Sequence, residues 1–236
     1  MKTAEIEELA RQDQCAGRRF AHAELSRVQL LGANLRNTNF LGANLDGAEL
    51  SKADLSDAVL AGALLIFASC TETIFAGADL TGCNFYNSTL FNANFVKSNL
   101  SGATFQSASL DGALFRQSVL VGADFEQVTI HKGGFSEARI CGATFENSGL
   151  YQLDFSNSDL SGVCMTGVEL GGVNLTGANM KGSDLRNAKI YRTTLKGAQL
   201  LGTRFDGAVF TETNLSNVNF SDANMKDAQF IRCQFT

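Results

Sequence analysis

The chain repeats every five residues. From Phe20 to Phe235 each multiple of five is Phe, Leu, Ile or Met, with Cys70 the single exception, through 44 repeats without insertion or deletion. Sixteen of the 18 Phe residues fall on this register; Phe67 and Phe91 do not. A period of five fits neither the 3.6 of an α-helix nor the 2 of a long strand. It does fit a short extended segment followed by a corner. In such a segment residues two apart share a face. The small residue at the third place (Ala78, Cys83, Ser88, Ala93) therefore points inward with the large one at the fifth. The fourth place, rich in Asn and Asp, points outward.

Glycine supports the corner. Within the repeats from Ala21 on, eighteen of the 23 Gly residues occupy the second place of the five, and Asn takes it at Asn37, Asn87, Asn92, Asn147, Asn157, Asn187 and Asn217. Both tolerate positive φ, as the third residue of a type II turn requires. The number of sides follows from the aromatic pattern. Phe recurs every ten residues from Phe75 to Phe155, with Leu or Ile between. Only four sides per coil place Phe75, Phe95, Phe115, Phe135 and Phe155 in one column and Phe85, Phe105, Phe125 and Phe145 in the opposite one. The expected fold is an all-β, square parallel solenoid with 20 residues per coil. About eleven coils at about 4.8 Å make a rod of about 50 Å.

The run GADLTGCNF (77–85), with ANLDGAEL and GANMKGSDL elsewhere, resembles the pentapeptide-repeat proteins. The resemblance covers nearly the whole chain and implies a right-handed quadrilateral β-helix over residues 21–236, after an entry segment of residues 1–20. Regular coils are expected from near Ala21, because Arg18 stands where a small inward residue belongs. Thr3 to about Gln14 reads as a helix with Ile6, Leu9 and Ala10 on one stripe, Thr3 as cap and Gly17 as stop. Its expected task is to cover the first coil. The last coils are rich in Phe. They are expected either to pair with a twin in a homodimer or to continue into further chain.

No enzyme constellation is visible. The two His residues, His22 and His131, are far apart, so neither a catalytic triad nor a usual metal site can be assembled, and no phosphate or dinucleotide loop is present. No cofactor is expected. The six Cys show no paired spacing and read as free thiols in a reducing cytoplasm. No stretch reads as a membrane span or a signal peptide. Bulk at the inward small positions Leu153, Val163, Val168 and Val173 points to a locally wider coil.

The expected function is a non-catalytic bacterial interaction scaffold with an unknown protein partner. Outward apolar and aromatic residues mark its candidate surface: Ile66, Phe67 and Tyr86 on one face, with Phe91, Tyr151 and Tyr191 in a column on the next. The alternative comes from the family resemblance. Some pentapeptide-repeat proteins are similar to B-DNA in size and charge, bind DNA gyrase in its place and give quinolone resistance. Between Asp46 and Met180 the net charge is −9. The side carrying Asp46, Glu49, Glu126, Glu146 and Glu169 has no Lys or Arg in that stretch. From Lys181 to Thr236 the net charge is +3, which opposes contact with a DNA-binding groove. Direct nucleic-acid binding is not expected of a chain with net charge −5.

Overall fold

In a computed structural model, which describes residues 3–235, the chain is a parallel β-solenoid entered through one short helix. Every rung pairs with the residue 20 further on, from Arg19 with Asn39 to Asn214 with Gln234. Most sides contribute a single bridge. One side is a continuous parallel sheet of six strands: β1 (Thr129–Gly134), β2 (Gly149–Asp154), β3 (Glu169–Gly171), β4 (Lys189–Tyr191), β5 (Val209–Thr211) and β6 (Gln229–Ile231).

The corners form as the residue pattern requires. Every second-place residue from Gly17 to Arg232 has φ between 50° and 76°. The fifth-place carbonyl accepts the N–H three residues on, as in Ala33 to Leu30 at 3.1 Å. The outward Asn and Asp have a structural task that composition did not reveal. Their side-chain oxygen accepts the N–H two residues on, which closes the next corner: Asp124 Oδ1 from Glu126 at 2.9 Å, Asn84 Oδ1 from Tyr86 at 2.9 Å. These are Asx turns, and much of the acidic content of the rod serves them.

From Phe75 to Phe155 two aromatic columns run through the core, with Leu and Ile in the other two. Phe95, Phe115 and Phe135 stack at 4.8 and 4.6 Å between ring centroids, and Phe85, Phe105 and Phe125 at 5.1 and 4.6 Å. Across the core the columns meet edge to face, as Phe105 meets Phe115 at 5.8 Å and 88°. Leu153, Val163, Val168 and Val173 are buried at the small position. From Leu160 to Leu200 every large register residue is aliphatic rather than Phe, so added bulk at one place is offset at its neighbour. At Gly133 the backbone runs close to the coil below, where a Cβ would stand 2.6 Å from the Ala113 carbonyl oxygen. Its partner in the next coil, Leu153, is buried.

The ends depart from expectation. Helix α1 (Thr3–Arg11) stops at Asp13 rather than at Gly17. Asp13 adopts φ 53°, with Asp13 N–H to Ala10 O at 3.0 Å and Gln14 N–H to Leu9 O at 2.8 Å. That pair of bonds is a Schellman ending with Asp in the place usually given to Gly. The rung pattern also begins before Ala21: Gly17 N–H already donates to Arg36 O at 2.8 Å, and Cys15 is buried. Arg18 is exposed, so its side chain does not disturb the interior. The helix does cover the first coil. Ile6 is buried in the common core, and Glu7 Oε1 accepts Gln29 N–H at 2.9 Å. In later coils that N–H reaches the preceding coil, as Glu49 reaches Val28 O; Glu7 replaces the absent rung. At the other end, inward residues that earlier coils bury completely are open, with Phe235 57% exposed. Among the described residues no helix is long and apolar enough to cross a membrane.

Candidate interaction surface

The structure divides the predicted aromatic residues among three places. Ile66, Phe67 and Tyr86 form one cluster on an edge of the rod, with the Phe67 and Tyr86 rings edge to face at 6.3 Å. The Ile66 N–H is held by Asp46 Oδ1 at 3.0 Å, and the outward Leu64 is exposed beside it. Phe67 occupies a left-handed corner with φ 57° and is 64% exposed. Every other non-Gly corner in the described chain carries a polar or charged residue. A large apolar side chain there gains little burial and takes on the strain of positive φ.

Phe91 lies on the opposite edge of the same side, on the coil that carries Tyr86. It borders a depression of about 370 Å³ that runs up to Asp111 and His131. Between the two edges the outward positions are short. Ser69, Thr89 and Ser109 bridge one another in a column that continues from Glu49. This side therefore has a low hydroxyl-bearing centre between taller aromatic edges. Sequence columns alone did not join Phe91 to Phe67 and Tyr86, since they lie in different columns of one side.

Tyr151 and Tyr191 lie further along the Phe91 edge, in the predicted column. Tyr151 stacks on His131 at 5.0 Å and donates its hydroxyl to Glu169 Oε2 at 2.9 Å. Burial and this hydrogen bond to a carboxylate push the Tyr151 phenol up to about 12. Two outward glycines let the rings lie down: a Cβ at Gly149 would stand 2.8 Å from Tyr151 Cε2, and one at Gly171 2.6 Å from Tyr191 Cζ. Tyr191 borders an open groove of about 600 Å³ with Ile190, Val209 and Thr211.

Of the acidic residues, Asp46 is bonded to Ile66 as above, and Glu49 Oε1 accepts Ser51 N–H at 2.9 Å. Glu126 accepts from Gln106 at 3.3 Å. Glu169 is held below the usual carboxylate range by Lys189 Nζ at 2.8 Å and by Tyr151. The basic residues after Lys181 surround the rod rather than forming a patch, and most are paired. Arg186 and Arg204 flank Asp184 at 2.7 and 3.5 Å, and Arg192 and Arg232 flank Glu212 at 3.0 and 3.3 Å. Burial alone would raise Asp184, but the bonds from Arg186 outweigh it and hold the carboxyl low. Cys70, Cys83 and Cys15 are buried thiols; burial pushes Cys83 up to about 12, which makes it a poor nucleophile.

A family model described as Pentapeptide repeats matches residues 23–61, 58–95, 98–132, 135–172 and 169–207, and a second of the same description matches 190–234. Among solved structures, the chain is similar to QnrB1, a plasmid-mediated fluoroquinolone resistance protein. The two are 23% identical, with 80% of this chain and 92% of that one covered and a TM-score of 0.52, which shows a shared fold. HetL, a pentapeptide repeat protein involved in heterocyst differentiation regulation from the cyanobacterium Nostoc sp. strain PCC 7120, is 21% identical, with 99% and 94% covered and a TM-score of 0.38. No protein of curated function matches by sequence.

Proposed function

The chain belongs to the pentapeptide-repeat family, and on that premise we propose that it is a non-catalytic interaction rod that engages a protein partner through the side bounded by Phe67, Tyr86 and Phe91. The observation that carries this reading is Phe67. Among the described residues it is the single apolar one at a non-Gly left-handed corner, it is mostly exposed, and it is paired with a second exposed aromatic ring. Exposed aromatic side chains held by a rigid scaffold are the residues that anchor protein interfaces. Converting Phe67 and Tyr86 together to Ser is expected to abolish cross-linked capture of the partner in the native host without lowering the melting temperature. Loss of the fold instead would make these residues structural and end the proposal.

A second reading, a topoisomerase-directed mimic of DNA, draws on Asp46, Glu49, Glu126 and Glu146. They lie in the stacked repeats 46–50 to 166–170, which carry no Lys or Arg. The fold shared with a fluoroquinolone resistance protein adds to it. Against it, Glu169 is committed to Lys189, and Arg186 stands on that same side one coil on. A molar excess of the protein is expected to leave gyrase supercoiling, and its inhibition by quinolones, unchanged. Inhibited supercoiling would move the function to this second reading.

A further inference from the structure

We infer that the side between the Phe67–Tyr86 edge and the Phe91 edge takes one cationic amphipathic helix of a partner protein, laid along the rod axis. The inference rests on the docking reading of Phe67 and adds the chemistry of what docks. An extended partner is disfavoured. Coil backbone groups on this side are already bonded to the coils above and below: Thr89 N–H donates to Ala68 O and Leu90 N–H to Ser109 O. No strand can be added there, so recognition must run through side chains.

The shape fits a helix. Three extended residues between two corners span about 10 Å, which is about the diameter of a helix. The short column of Ser69, Thr89 and Ser109 leaves room for one between the aromatic edges. The helix's apolar stripe would meet Phe67, Tyr86 and Phe91.

The charge fits a cation. Asp46 and Glu49 lie below the aromatic residues, and Glu126 and Glu146 above them. From Asp46 to Glu169 the Phe67–Tyr86 corner and the outward column of this side carry no Lys or Arg. On the Phe91 corner Lys52 and Lys132 stand toward the two ends, with Glu72 and Asp111 between them, so the side as a whole stays acidic. The distance from the Asp46 coil to the Glu126 coil is about 19 Å, the length of about 13 helical residues. A partner helix with Lys or Arg near both ends of an apolar stripe would match this pattern.

Three labelled helical peptides of about 16 residues test this, with one Leu stripe and Lys, Gln or Glu on the polar face. The Lys peptide is expected to bind, weakening as salt is raised, and the Glu peptide to bind at least about 30-fold more weakly. Phe67→Asn and Phe91→Ser are each expected to weaken the Lys peptide at least about tenfold, at unchanged melting temperature. Asp46→Asn with Glu126→Gln is expected to weaken it and to flatten its salt dependence. Phe67-dependent binding that is as tight for the Glu or Gln peptide would overturn the cationic partner and leave the docking reading standing. Lys-peptide binding that Phe67→Asn does not change, or no Phe67-dependent binding of any peptide, would overturn both.

Discussion

Phe115→Ala is expected to destabilise the rod by about 3–5 kcal/mol, among the larger effects a single core truncation produces. Phe115 is fully buried and touches four other rings. It stacks on Phe95 at 4.8 Å and on Phe135 at 4.6 Å, and meets Phe105 and Phe125 edge-on at 5.8 and 5.9 Å. None of these neighbours can collapse into the space without leaving its own stack. Each is fixed by a coil whose backbone is bonded on both sides, so the cavity remains. Denaturant unfolding measures the loss. A cost near zero would mean that Phe115 is not in a close-packed ladder and that the five-residue register is misassigned.

Ile6→Asp is expected to cost about 3 kcal/mol, but locally. The substitution buries an unpaired carboxylate where Ile6 is fully enclosed, against the first coil. It would release α1, and with it the Glu7 carboxylate that holds Gln29 N–H and the Ile6 carbonyl that accepts the Cys15 thiol at 3.7 Å. In a solenoid each coil is stabilised by its nearest neighbours. Fast hydrogen exchange should therefore appear at Gln29 and the first coils, while amides around Phe105 and Phe115 keep their protection. An equal loss of protection along the whole rod, or none, would contradict the capping role of the helix.

Most of the architecture was legible because its determinants are one-dimensional. A fifth-place apolar residue, a second-place Gly or Asn and the ten-residue spacing of Phe define sides, corners and columns before any contact is known. The ends were less legible. Asp13 closes the helix, and two backbone bonds form around it, although Gly17 is the residue with the intrinsic preference for such a stop. Gly17 instead serves the first corner. The outward Asn and Asp could be placed but their corner-capping could not, because an Asx bond is invisible until φ and ψ bring the N–H two residues on within reach. The basic stretch after Lys181 looked like a charged end. Pairing across coils, as of Lys189 with Glu169, depends on a side-chain reach that composition does not carry.

The candidate surface followed the same division. Membership of a column could be counted in steps of 20, and Tyr151, Gly171 and Tyr191 do share one. That Phe91 faces Phe67 and Tyr86 across a low side could not be counted, because it depends on the short Ser69, Thr89 and Ser109 lying between two edges. The same holds for Gly149 and Gly171, whose missing side chains make room for the tyrosine rings.

The most direct test of the central claim is the stability of Phe67→Asn. Asn tolerates the left-handed corner and stands at the same place in Asn87 and Asn92, with φ 54° and 55°. If Phe67 is kept for binding rather than folding, the variant should be as stable as the parent or more stable by up to about 1 kcal/mol, since corner strain is relieved and little burial is lost. A loss of more than about 1 kcal/mol would mean that the fold itself needs Phe67, and the docking surface would lose its principal support.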